Sequence, residues 1–137
     1  MEAIDKTLLE AAMRVRKYAH APYSGFHVGA AILADDGNIY AGCNVENAAY
    51  PLGSCAETSA ISAMLAGGGR RIKRILTFGP GIEPVTPCGG CRQRIREFAE
   101  PDVPIVSLGA DGGEVLVRSL KQLLPHSFGP EFLEDMK

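Results

Sequence analysis

Four residues of this 137-residue chain have types and spacing that could do chemistry together: Cys55, Glu57, Cys88 and Cys91. Cys88 and Cys91 form a Pro-Cys-x-x-Cys group. At the start of a helix, that spacing puts both thiols on one face, where one ion binds both. A helix N-terminus favours thiolates through its dipole and its free N–H groups. Cys55 precedes the helix-forming run AETSAISAMLA and shares that advantage. Three thiolates occupy three of the four tetrahedral positions of a zinc ion. The fourth stays open for water, which marks a catalytic rather than a structural zinc. We therefore expect one Zn2+ per chain. Glu57 stands two residues from Cys55, close enough to move protons at the site without binding the metal. By itself it reads better as an ordinary acid in a helix's first turn, where acids are favoured; beside Cys55 and Pro-Cys-x-x-Cys the chemical reading prevails. Cys43 lies in the strand-like stretch IYAGCNV and reads as a small core residue. His20, His27 and His126 compete for the fourth ligand position, and none has metal-like spacing to the cysteines.

The elements that must position these groups follow from the hydrophobic periods. Residues from Asp5 to about Ala21 read as a helix, with Leu8, Ala12, Val15 and Ala19 on one stripe and Asp5 as N-cap. The stretch HVGAAILADDGNIYAGCNVE reads as a hairpin turning at Asp35-Asp36-Gly37-Asn38. A second helix starts near Cys55 and stops at Gly67-Gly68-Gly69. RILTFG is a buried strand, and a third helix runs from near Cys88 to Phe98. VPIVSLGADGGEVLVRSL holds two strands, followed by a short helix over Leu120 to Leu124. The order is α-β-β-α-β-α-β-β-α, which predicts an α/β fold of three α/β/α layers: a mixed five-stranded sheet with helices on both faces. Residues 1–137 read as a single domain, with no linker or internal repeat.

Composition excludes several classes of function. Hydrophobic residues make up 46% of the chain, enough for a core without disulfide staples. The net charge is −2, from 14 basic and 16 acidic residues. That balance argues against a sequence-independent grip on nucleic acid, and the runs Arg70, Arg71, Lys73, Arg74 and Arg92, Arg94, Arg96 read as solvated helix faces and helix ends. There is no membrane-length apolar run, and the N-terminus lacks the layout of a signal peptide. These features predict a cytoplasmic chain whose cysteines serve metal or catalysis.

SCAETSA with TPCGGCRQ resembles the zinc-dependent nucleoside and nucleotide deaminases, whose signature pairs H-x-E with P-C-x-x-C. Cys55 replaces the histidine, as in the small cytidine deaminases that form homotetramers. The resemblance spans nearly the whole chain, through YAHAPYSGFHVGAAI, GCNVENAAYPLGSCAE, PCGGCRQ and LLPHSFGP. It implies hydrolytic deamination of cytidine and deoxycytidine, in pyrimidine salvage. Water activated at the zinc attacks C4, and Glu57 shuttles protons to N3 and to the departing ammonia. It further implies that Phe26 stacks near the pyrimidine and that Asn44 and Glu46 hold the ribose hydroxyls. Two residues apart in extended backbone, those two side chains share a face. Tyr50 contributes beside them. The Ala56 N–H meets the base carbonyl, and the Thr86 carbonyl accepts from the exocyclic amine. Phe128 of the SFGP motif enters a neighbouring subunit's pocket, so the active sites of a tetramer are shared.

Relatives of this kind commonly carry arginine after the glutamate, where this chain has Thr58. Three thiolates and Zn2+ leave one net negative charge, and the neutral Thr58 supplies no cation. Arg92, next to Cys91, is the expected replacement, ahead of Arg94 and Arg96. Competing functions remain: a deaminase of another aminopyrimidine nucleoside, a non-catalytic zinc-stabilised interaction module, and a polynucleotide deaminase. The Asn44/Glu46 pair disfavours the first, an open fourth ligand position the second, and the net charge the third.

Overall fold

The period-two alternation of the central strands decides which layer each side chain enters. In the computed structural model, which describes residues 1–136, those strands are β1 (Gly29–Ala34), β2 (Ile39–Cys43), β3 (Ile72–Gly79), β4 (Pro104–Gly109) and β5 (Val115–Ser119). Lys137 lies outside the described residues. The strands form one sheet in the order β2-β1-β3-β4-β5. Only β3 and β4 pair in parallel; the other neighbours are antiparallel. The mixed five-stranded sheet matches the expectation.

Adjacent residues on the strands face opposite layers. Ala31, Leu76, Val106 and Leu108 pack with Leu8, Ala11 and Ala12 of α1 (Ala3–Arg16). Ala30, Ile32, Ile75 and Ile105 pack instead with α2 (Ala56–Ala66), α3 (Gly89–Phe98) and α4 (Leu120–Leu123). Ile75 and Leu76 are both fully buried, on opposite faces. Each such side chain contributes roughly 1.5–3 kcal/mol through burial.

Helix α1 differs from expectation at both ends. Glu2 is its N-cap, and Asp5 lies in the first turn, where it accepts from the Glu2 N–H at 3.1 Å. Asp5 also carries a tertiary task. Its carboxylate is 1% exposed and is held by Arg74 of β3, with Nε at 2.6 Å and Nη2 at 3.0 Å. The helix stops at Arg16 rather than near Ala21. There the backbone of His20 pairs with Asn44 and Glu46, through N–H···O=C bonds of 3.0 and 2.7 Å. Those bonds draw the chain out of the helix.

The hairpin turn forms where expected, with Gly37 at φ 82° and the Asn38 N–H donating to Asp36 at 2.9 Å. The triple glycine ends α2, whose C-cap is Gly67.

Two glycines set how closely the layers approach. A Cβ at Gly29 would stand 2.1 Å from the Ala12 carbonyl oxygen of α1, and one at Gly42 would stand 2.3 Å from the Ala60 nitrogen of α2. Gly42 therefore fixes the distance between β2 and the helix that presents Glu57. Gly42→Ala is expected to force α2 outward and to cost about 1–3 kcal/mol in stability. Gly113→Ala is its control, since nothing lies within 4 Å of that position. Thermal or chemical denaturation of the two variants reads the difference.

Candidate active site

The two cysteine-bearing helices begin at the same place on the sheet. Cys55 is the N-cap of α2 and Cys88 the N-cap of α3. Both have extended backbone, with ψ of 158° and 168°. Cys91 lies in the first turn of α3 and is fully buried. The β3–α3 connection is half of a parallel crossover, so α3 starts just past the carboxyl end of β3. In open α/β sheets that end is where ligands bind.

The three sulfurs lie within 4.8 Å of one another. Sulfurs around one tetrahedral zinc stand about 3.8 Å apart, given Zn–S bonds near 2.3 Å. The donor set therefore fits the ion with small adjustments. All four cysteines are free thiols. The closeness of Cys55 and Cys91 dominates the titration of both thiols: it lowers Cys55 to about 6 and raises Cys91 well above the ordinary thiol range. The pair holds a proton that a metal cation would displace. Cys43 stands apart from this group, half-buried at the end of β2. The group includes no histidine. His20, for its part, pairs through its backbone with Asn44 and Glu46.

Glu57, in the first turn of α2, is 5% exposed. Burial raises its carboxyl above the usual range, and the Cys55 charge adds to that rise. A carboxyl raised by its surroundings can both take and return a proton near neutral pH. It opens onto a cavity of about 190 Å³ that is also lined by Phe26, Asn44, Cys55, Ala56, Thr86 and Cys88. Thus the cavity unites two of the three thiols, the carboxylate and four of the residues expected at a substrate, with Cys91 buried behind it.

The remaining expected residues sit elsewhere. Glu46 and Tyr50 line an adjoining cavity of about 320 Å³ with Tyr23 and Ser24. The Glu46 carboxylate accepts from the Tyr23 N–H at 3.0 Å, from the Ser24 N–H at 3.2 Å, and from the Ser24 hydroxyl. These bonds, led by the hydroxyl, hold it below the usual carboxylate range. Asn44 uses its amide to tie the preceding strand. Its Nδ2 donates to the Phe26 carbonyl at 2.8 Å, and its Oδ1 accepts from the Val28 N–H at 2.9 Å. Asn44 and Glu46 lie past the end of β2, and their side chains line different cavities. Phe128 is 55% exposed, stacks on Phe132 at 5.2 Å, and does not line this chain's own thiol cavity.

Arg92 does not turn to the sulfurs. Its Nε donates to the Pro87 carbonyl at 2.7 Å, Nη1 to the Leu123 carbonyl at 2.9 Å, and Nη2 to Thr86 Oγ1 at 3.3 Å. It braces the loop that carries Thr86 and Cys88 against α4. The sequence neighbour of Cys91 is instead committed to two backbone carbonyls and one side-chain hydroxyl.

Sequence reasoning missed a second brace. Thr77 of β3 donates its hydroxyl proton to the Val85 carbonyl at 2.6 Å and accepts from the Ser107 hydroxyl of β4 at 3.0 Å. Both side chains are 1% exposed and are direct partners across the parallel pair. The available signal was a hydroxyl residue in each of two apolar strand runs, RILTFG and PIVSLG. The bonds hold the loop that forms the cavity wall.

A profile described as "Cytidine and deoxycytidylate deaminase zinc-binding region" matches residues 2–107. A cytidine deaminase of Sporosarcina psychrophila is 40% identical over 130 residues, which is 95% of this chain and 94% of that protein. The crystal structure of cytidine deaminase from Burkholderia pseudomallei superposes with a TM-score of 0.85 at 42% identity, covering 93% of this chain and all of that one. That from Mycobacterium leprae gives a TM-score of 0.78 at 38% identity, over 91% of this chain and all of that one. Fold and site thus define a zinc-binding hydrolytic enzyme. The chain belongs to the cytidine and deoxycytidylate deaminase family.

Proposed function

We propose that this protein deaminates the free nucleosides cytidine and deoxycytidine to uridine and deoxyuridine, releasing ammonia, in pyrimidine salvage. The observation that carries the proposal is the buried Glu57 on a cavity lined also by Phe26, Asn44, Cys55 and Cys88, with Cys91 completing the thiol cluster. Zinc held by Cys55, Cys88 and Cys91 supplies the Lewis acidity that readies a water for attack near neutral pH. Glu57 accepts one proton from that water and delivers it to N3 as the oxygen adds to C4; it then takes the second proton, from the hydroxyl now on C4, and passes it to the exocyclic amine. The C4–N bond breaks as that oxygen becomes the C4 carbonyl, and the nitrogen leaves as ammonia.

The other residues orient the base. Ala56 offers its N–H to the base carbonyl, and the Thr86 carbonyl accepts from the amine. Phe26 stacks on the ring face. Asn44 and Glu46 hold the sugar. Glu46 must exchange part of its clamp on Tyr23 and Ser24 for the hydroxyls. A carboxylate there also repels a phosphate placed nearby, which favours nucleosides over nucleotides and polynucleotides.

Ammonia release from cytidine, deoxycytidine, CMP and a cytosine-containing oligonucleotide tests the reading. Turnover confined to the two nucleosides is expected, and turnover of the oligonucleotide alone would overturn it.

We infer further that the protein works in the cytoplasm as a homotetramer of single-domain subunits with shared sites. Among the described residues, no helix is long and apolar enough to cross a membrane. Phe26, Tyr50, Leu52 and Phe128 are 46, 75, 73 and 55% exposed, and a neighbouring subunit would cover such a rim. Phe128→Ala is expected to lower kcat/KM by about tenfold, the scale of one lost aromatic partner. Sedimentation and kinetics check this together; a fully active monomer would refute the shared site.

A further inference from the structure

The loop that leads from β3 to Cys88 presents three successive carbonyls, those of Val85, Thr86 and Pro87. The first accepts from the Thr77 hydroxyl at 2.6 Å, and the third from Arg92 Nε at 2.7 Å. The Thr86 carbonyl between them has no donor among the described residues. Thr86 lines the thiol cavity. A carbonyl fixed on both sides and left unpaired at a cavity is an acceptor held ready for a ligand.

Thr77 lines the same cavity and reaches the loop from the middle strand of the sheet. Its one proton goes to Val85, because a carbonyl only accepts. Ser107 of β4 must then donate to Thr77, at 3.0 Å. Both hydroxyl residues are 1% exposed. In apolar surroundings such a chain runs in one direction, and each bond polarises the next. Two apolar residues would fill these strand positions with no polar atom to satisfy. What the hydroxyls add is the bond to the loop. Val85 is seated by its other atoms as well. Its N–H donates to the Leu108 carbonyl at 3.4 Å, and a Cβ at Gly79 would stand 2.6 Å from its Cγ2.

We infer that Thr77, with Ser107 behind it, is a positioning residue for the deamination: it fixes the Val85–Thr86 peptide so that the Thr86 carbonyl meets the 4-amino group of the base. Arg92 fixes the following peptide from the α3 side. The inference rests on the reading that the Thr86 carbonyl accepts from the exocyclic amine. That amine must be held where it can take a proton from Glu57, and a misplacement of roughly 1 Å can cost about a hundredfold in rate.

Thr77→Val keeps the shape and removes the donor. It is expected to lower kcat/KM for cytidine by about tenfold, the scale of one lost hydrogen bond. Zinc content should hold, and so should inhibition by uridine, which carries no 4-amino group. Thr77→Ser returns the hydroxyl and should restore turnover. Thr77→Val also strands the buried Ser107 hydroxyl, so its melting temperature should fall. Adding Ser107→Ala removes the stranded group and should recover part of the melting temperature, but none of the turnover, because Val85 still lacks its donor. This double variant carries the test if Thr77→Val folds poorly. The inference is overturned if Thr77→Val deaminates cytidine as the parent does, or if turnover returns with the melting temperature in the double variant. It is overturned equally if uridine inhibition weakens as much as cytidine turnover. A parent protein that does not deaminate cytidine would instead refute the proposed function, which is a separate outcome.

Discussion

Glu57→Gln is expected to fold, to bind zinc, and to lose turnover by about a thousandfold or more. The size follows from the task. General acid–base transfer contributes roughly 10²–10⁴-fold to a rate, and here one carboxylate serves several transfers. The side chain is 5% exposed and follows the N-cap of α2, so nothing else in the cavity substitutes for it. Glutamine preserves the volume and can hydrogen-bond, but it neither takes nor delivers a proton in the working pH range. Because Glu57 is not a metal ligand in this account, zinc content should be unchanged. Ammonia release, metal analysis and circular dichroism on one preparation check the three parts. Near-parental turnover would sink the mechanism.

Cys91→Ala is expected to empty the site. Cys91 is fully buried and clustered with Cys55 and Cys88, so its loss removes one donor and leaves a void between the helix starts. Changes outside the ligand shell of a metal already cost roughly 10–100-fold in affinity or activity. Removing one of three ligands should exceed that, and both zinc and turnover should fall together. Cys43→Ala is the informative partner experiment. Cys43 lies at the end of β2, outside the thiol group, and its variant should keep its zinc. Equal loss in the two variants would show that the ligands have been misassigned. Loss of turnover with zinc retained in Cys91→Ala would show the same.

Local chemistry explains which features could be read from the chain directly. The Cys88–Cys91 spacing forces two thiols onto one helix face in any fold that forms α3, and Cys55 with Glu57 is tied by the same short-range logic on α2. The strand runs with their turn residues specified the elements, and the mixed sheet followed from their order. Every one of these readings depends on residues close in sequence.

What the tertiary structure decided depends on contacts between distant residues. Helix α1 ends at Arg16 because His20 finds backbone partners at Asn44 and Glu46. Asp5 is buried in the first turn rather than capping it, because Arg74 lies across the layer boundary. Glu46 is held by Ser24, 22 residues away, and so faces a different cavity from Asn44. The place of Arg92 was decided the same way. Arg92 is nearest Cys91 in sequence, but acceptors on Pro87, Thr86 and Leu123 claim all three of its nitrogens. Sequence spacing determines which face a side chain shares within one element. Only the packing of α3 against α2 and α4 decides which of its charges is already spoken for.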